Sequence, residues 1–235
     1  LSKSKLDKIL FVWQGLGYYT RAANLHKTAK IICSKYDGKI PNTYNALIQL
    51  PGIGEYTANA IMSIAYNKKT IGIDVNINRI ISRLYNLNLN NNKEITKRLY
   101  KLLPNKKCGD FMQALMDVGA KICKKQNVDC LICPLKKYCY FYNQKKKIDV
   151  DLLRNKKRKF LFVYLIKYKN QIILMKRRNT KFLNGLMEIP NNLLNNKTSL
   201  KIVKKKAPLE LDWRIIPGKM YSKISNFELE IKFLE

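Results

Sequence analysis

Cys123, Cys130, Cys133 and Cys139 stand in the spacing C-x6-C-x2-C-x5-C, inside a polar stretch that also holds Pro134 and several lysines. No other feature restricts the fold as strongly: four thiols so close together, with little apolar sequence around them, need a shared organising centre. Disulfides belong to oxidising compartments, and the opening Leu-Ser-Lys-Ser-Lys-Leu-Asp lacks the apolar run of an export signal. Zinc sites usually join two C-x2-C knuckles across a longer insert, whereas this compact spacing suits a cubane iron–sulfur cluster. The segment therefore predicts a [4Fe-4S] cluster, with zinc or buried free thiols as the alternatives. Cys33 and Cys108 lie far away in sequence and are expected as small core residues.

Lys and Arg number 46 against 16 Asp and Glu, a formal net charge of +30. Such a field attracts polyanions, nucleic acid first among them. The excess is mostly lysine, in a chain also crowded with Asn and Ile, so part of it is compositional bias and charge alone points to a partner only weakly. A hydrophobic content of 46% can form a real core. No stretch reaches the ~18 uncharged apolar residues of a membrane helix. These features argue against disorder, a membrane span and secretion, and a cytoplasmic location is expected.

Three regions follow from texture. Residues 1–140 carry apolar residues at helical spacing, as in Ile9-Leu10-Val12-Trp13, Leu25-Ala29-Ile32-Cys33 and Ala58-Ile61-Ala65. Residues 141–159 hold two lysine-rich runs and read as a solvated linker. Residues 160–235 open with the apolar run Phe160 to Ile166, a turn at Lys169-Asn170, and Gln171 to Met175, which predicts a β-hairpin and a smaller α+β domain.

Leu50-Pro51-Gly52-Ile53-Gly54 precedes a helical pattern from Tyr56 to Tyr66. Two glycines one residue apart permit a tight turn whose amides, at a helix start, suit a phosphate. Twenty residues after Gly54 comes Asp74, in Ile71-Gly72-Ile73-Asp74-Val75-Asn76-Ile77-Asn78-Arg79, expected at least as a helix N-cap. With Ala114-Leu115-Met116-Asp117-Val118-Gly119-Ala120 and the cysteine loop, this ordered set resembles the helix-hairpin-helix DNA glycosylases that carry an iron–sulfur cluster.

The resemblance implies a mainly α helix-hairpin-helix domain in which the cluster braces a loop facing the DNA backbone, here surrounded by Lys121, Lys124, Lys125, Lys136 and Lys137. It implies that the Asp74 carboxylate stabilises the oxocarbenium ion formed as the glycosidic bond of a flipped base breaks. Asn76 and Arg79 match the family pattern, while Val75 stands where Gly is usual. Bifunctional members place a Lys after the second hairpin Gly, where its amine attacks the sugar; this chain has Glu55-Tyr56-Thr57. Tyr56 at the Lys position narrows the resemblance to the adenine DNA glycosylases, which remove adenine opposite 8-oxoguanine or guanine. The segment Trp13-Gln14-Gly15-Leu16-Gly17-Tyr18-Tyr19 agrees, with Tyr18 matching the aromatic wedge that fills the gap left by the extruded base. His26, the single histidine, is expected to be structural.

Phe182 to Pro190 resembles the G-L-W-x-F-P stretch of the C-terminal domain of adenine glycosylases, related in fold to Nudix hydrolases. No Nudix box is present, so this domain is expected to recognise rather than hydrolyse. Ile224-Ser225-Asn226 stands where the family has the Phe-Ser-His loop that reads 8-oxoguanine; Ser225 is retained. The family's general-acid Glu lies in an earlier helix and is expected before Leu1. The overall expectation is a monomeric, monofunctional glycosylase acting on double-stranded DNA. A bifunctional endonuclease III-like enzyme and a non-catalytic DNA-binding relic are its rivals.

Overall fold

The computed structural model describes residues 1–144, 157–177, 185–224 and 227–235. The chain divides into two compact units, one formed by Leu1–Ser4 with Ala23–Val150 and the other by Lys5–Ala22 with Asp151–Glu235. The short helix α1 (Leu6–Val12) and the turn after it are thus grouped with the C-terminal unit, a division that texture along the sequence does not reveal.

The first unit is helical. Most of α2 (Tyr19–Lys35) leads into α3 (Tyr44–Ile48), α4 (Glu55–Ile64), α5 (Val75–Tyr85), α6 (Asn92–Leu102) and α7 (Cys108–Asp117); a π-helical turn at Val118–Ile122 and short helical turns, the last being α8 (Tyr140–Asn143), complete it. Helix α5 shows why these segments fold as they do. Asp74 caps its N-terminus, Asn86 ends it in the left-handed conformation, and Ile77, Ile80, Ile81 and Leu84 recur at the i, i+3, i+4, i+7 spacing of a buried face. That face meets Ile95 and Leu99 of α6 and Cys108, Met112 and Leu115 of α7 in one core. Burying each such isoleucine or leucine contributes about 1.5–3 kcal/mol. Helices α4 and α7 approach closely at Gly109, where a Cβ would stand 2.8 Å from the backbone of Ile64.

The expected helices of this region are present, but Cys33 is not in the core. It is exposed on α2, with its Sγ 3.3 Å from the Ser2 hydroxyl, whereas Cys108 is buried as expected and donates to the Pro104 carbonyl. Position 33 follows His26 and Ala29 at helical spacing, but it lies in the last turn of α2, where the burial of that face has ended.

The second unit contains a four-stranded sheet in the order β6 (Asn191–Leu194), β1 (Lys157–Tyr164), β8 (Phe227–Leu234), β7 (Met220–Ile224). Strand β1 runs parallel to β8 and antiparallel to β6. Helix α9 (Leu200–Lys205) supplies Val203 to a core with Phe162, Tyr164, Trp213 and Leu234. The hairpin expected between Phe160–Ile166 and Gln171–Met175 is smaller than the sequence implies: β2 (Lys167–Tyr168) pairs with β3 (Gln171–Ile172) around Lys169, and β4 (Met175–Lys176) pairs with β5 (Met187–Glu188). The apolar run before it instead occupies β1, a central strand between β6 and β8, where Phe162 and Tyr164 pack into the core with Val203 and Trp213. Residues 145–156 of the expected linker, Phe182 to Asn184, and Ser225 with Asn226 lie outside the described residues. Among the described residues no helix is long and apolar enough to cross a membrane.

Candidate functional site

Helices α3 and α4 are joined by Gln49 to Gly54, and this connection is a tight hairpin. The amides of Leu50 and Ile53 bond back to Leu47 and Leu50, and Gly52 takes the left-handed conformation at φ +79°, which an L side chain rarely adopts. Gly54 is extended and acts as the N-cap of α4. Buried Leu47, Leu50 and Ala58 anchor the hairpin from inside, so its glycine backbone faces out at a helix N-terminus.

Tyr56 lies in the first turn of α4, 37% exposed, with its hydroxyl 3.7 Å from the Met116 sulfur. Burial raises its pKa above the ordinary tyrosine value, and the negative charge of Asp74 raises it further. The phenol therefore stays protonated and is a hydrogen-bond donor. Gly72 lies directly against it, since a Cβ there would stand 2.6 Å from the Tyr56 carbonyl oxygen.

Asp74 does two things with its two oxygens. Oδ1 accepts the amides of Asn76 at 3.0 Å and Ile77 at 2.7 Å, which caps α5. Oδ2 accepts the Asn76 side-chain amide at 2.9 Å. Asn76 in turn accepts from Arg79 Nη2 at 2.9 Å, and Arg79 donates to the carbonyls of Gly119 at 2.8 Å and Cys123 at 2.9 Å. Arginine only donates and a carboxylate only accepts, so the orientation of the Asn76 amide between them is determined. Burial lowers the Arg79 pKa, while the Cys123 and Asp74 charges oppose that shift. A continuous hydrogen-bonded path thus joins the carboxylate to the loop holding the first of the four cysteines.

Arg83, one turn further along α5, completes the connection. Its Nη1 lies 3.3 Å from Cys123 Sγ and 2.7 Å from the Lys124 carbonyl, Nη2 donates to the Lys125 carbonyl at 3.2 Å, and the guanidinium stacks 5.2 Å from the Phe141 ring centre. Asn76, Arg79 and Arg83 share one face of α5 at i, i+3, i+7. The sequence implied Asn76 as a DNA-contacting residue and Arg79 as a pattern match, and gave no sign of Arg83, although two arginines four residues apart were the available signal.

The four cysteines all line one cleft of about 290 Å³ including its open mouth, with Arg83 and Phe141 in the same wall. Burial raises the Cys130 pKa first, and the charges of Cys123, Cys139 and Cys133 add to it, so Cys130 is within electrostatic reach of the other three. Among the described residues no three His, Cys, Asp or Glu side chains converge as they would around a single metal ion. Four thiols lining one cleft are the donor set that an iron–sulfur cluster uses.

Tyr18 belongs to the other unit. Its backbone is left-handed at φ 48°, a strained conformation for a bulky residue, and its ring is 75% exposed beneath the Arg21 guanidinium at 5.1 Å. The turn is held by Trp13 Nε1 donating to the Gly17 carbonyl at 2.8 Å and the Arg21 amide donating to the Tyr18 carbonyl at 2.7 Å. A rigid turn therefore presents a solvent-facing aromatic ring. His26 is buried as expected, although its Nε2 finds no hydrogen-bond partner among the described residues. The hairpin, Tyr56, Asp74, Asn76 and the cysteine loop are thus assembled within one unit; Tyr18 stands in the second, and Ser225 lies outside the described residues.

Comparison with known proteins agrees with this geometry. Residues 1–105, which include the hairpin and Asp74, match the model of the HhH-GPD superfamily base excision DNA repair proteins. An adenine DNA glycosylase of Buchnera aphidicola subsp. Baizongia pistaciae (strain Bp) is 49% identical over 150 residues, covering 62% of this chain and 42% of that protein. The endonuclease III of Thermotoga maritima is 31% identical over 148 residues, 63% of this chain and 70% of that protein. A solved thermostable thymine-DNA glycosylase superposes with a TM-score of 0.56 at 31% identity, over 61% of this chain and 68% of its own. The chain spans less than half the length of two Buchnera adenine DNA glycosylases that it matches, 42–43%. With its hairpin and capping aspartate matched over residues 1–105 and its helical fold shared with solved glycosylases, the chain belongs to the HhH-GPD superfamily of base excision DNA repair proteins.

Proposed function

We propose that the protein is a monofunctional adenine DNA glycosylase that hydrolyses the N-glycosidic bond of adenine opposite 8-oxoguanine or guanine. The observation that carries this reading is Asp74 together with Tyr56: a carboxylate held by three hydrogen bonds, and a protonated phenol in the first turn of α4 where a lyase would need an amine. The glycosidic bond breaks with its electron pair leaving on the adenine, which takes a proton from a general acid. The Asp74 carboxylate stabilises the cation left at the sugar, water adds to C1′, and the water's second proton is released. Asp7 does not fill the role of that acid, being exposed and ion-paired with Lys176 at 2.8 Å.

Cys123, Cys130, Cys133 and Cys139 would hold a [4Fe-4S] cluster that braces the lysine-rich loop against the DNA backbone. The sheet unit is proposed as a Nudix-like lesion-recognition domain, with Ser225 in its reading loop. The proposed substrate is duplex DNA, bound by a monomer in the cytoplasm, with Tyr18 as the wedge.

Single-turnover assays on duplexes carrying adenine opposite 8-oxoguanine, with alkaline strand cleavage and parallel borohydride trapping, test this reading. Adenine release without a trapped adduct is expected. A trapped covalent adduct would make the protein a lyase of the endonuclease III kind, and tight duplex binding without excision by the full gene product would make it a binding relic.

A further inference from the structure

The hairpin is held from one side by Leu47 and Leu50; on the other it meets α2. Thr28, 6% exposed, donates its hydroxyl to the Pro51 carbonyl at 2.8 Å. Asn24, one turn earlier, lies flush against Gly52, where a Cβ would stand 2.8 Å from the Asn24 Cβ. The peptide joining Pro51 to Gly52 is trans, like every other described one, so its C=O and N–H point in opposite directions within one rigid plane. Drawing the Pro51 carbonyl inward to Thr28 therefore turns the Gly52 N–H outward. Among the described residues that N–H makes no hydrogen bond.

We infer that Thr28 is a positioning residue that aims the Gly52 amide at a backbone phosphate of the DNA; this rests on the protein binding duplex DNA as proposed above. Gly52 is left without a side chain on both counts: its left-handed φ and the closeness of Asn24. The donor is neutral, so its loss costs affinity without changing how many counterions are released on binding.

The test is fluorescence anisotropy with a labelled duplex carrying adenine opposite 8-oxoguanine, over a range of salt, on variants shown to be folded by circular dichroism. Thr28→Val, which keeps the shape and removes the donor, is expected to bind about tenfold more weakly with an unchanged salt slope. Thr28→Ser, which restores the hydroxyl, should bind within about twofold of wild type. Gly52→Ala, which disturbs the hairpin directly, should also weaken binding. Should the valine variant not fold, Thr28→Ala removes the same donor and carries the same comparison. Wild-type affinity in Thr28→Val with weakened Gly52→Ala would overturn the role of Thr28 alone. Wild-type affinity in both would overturn the hairpin as a DNA contact, and an affinity loss that serine does not rescue would show that Thr28 acts through packing instead.

Discussion

Replacing Arg79 by lysine is the most direct probe of the path between Asp74 and the cysteine loop. Besides the more distant Val75 carbonyl at 3.5 Å, three close acceptors surround the guanidinium, the Cys123 carbonyl at 2.9 Å, the Gly119 carbonyl at 2.8 Å and Asn76 Oδ1 at 2.9 Å. They lie on two chain segments, and the planar fork reaches all three from one position. A lysine ammonium is a single point on a flexible stem and reaches one of them well. Two bonds are lost, and hydrogen bonds to charged groups are each worth about 1.5–3 kcal/mol net. Arg79 is only half-buried, so water replaces part of that loss and the lower end applies, roughly 2–3 kcal/mol in all. For a domain of this size each kcal/mol moves the thermal midpoint by about 2–4 °C, so a fall of roughly 5–10 °C is expected. Melting followed by far-ultraviolet circular dichroism measures it, and an Asn76→Ala partner variant completes a double-mutant cycle with Arg79→Lys. A shift under about 2 °C, or strictly additive effects of the two substitutions, would show that the path contributes no cooperative stability.

Asp74→Asn should keep the cap of α5, because asparagine also accepts the Asn76 and Ile77 amides, so folding is preserved while adenine excision falls by at least about 10²-fold in single-turnover assays; wild-type rates would remove Asp74 from the mechanism. Gly119→Ala would place a Cβ 2.6 Å from the Asn76 Cβ and 3.3 Å from Ile80 Cδ1, and it should destabilise the helical unit by about 1–3 kcal/mol; an unaltered unfolding midpoint would count against the close approach. The Tyr56 pKa is raised by burial and by Asp74, so the stability linked to this group is fully present below the ordinary tyrosine value and is lost as pH rises through the raised one. Melting midpoints of wild type and Tyr56→Phe should therefore run parallel at neutral pH and converge above about pH 10, where only wild type loses this contribution; parallel curves throughout would contradict the raised value.

Local chemistry wrote much of the site into the sequence. A Gly-x-Gly turn before a helix pattern, an aspartate positioned to cap the next helix, and four thiols in a short polar stretch are each recognisable because every one depends on neighbours a few residues away. The core face of α5 was legible for the same reason, as Ile77, Ile80, Ile81 and Leu84 follow the period of one helix. What the tertiary structure alone decided is which distant groups meet. Tyr56 packs against the segment leading to Asp74 because Gly72 has no side chain there, and Arg79 and Arg83 reach a loop 40 to 44 residues away. The pairing of β1 with β6 and β8 lay hidden because a strand's neighbours depend on the whole sheet, and only the short turn at Lys169 had a local signature. The grouping of Lys5–Ala22 with the C-terminal unit was equally invisible, since an amphipathic pattern states that a face is buried without stating against what.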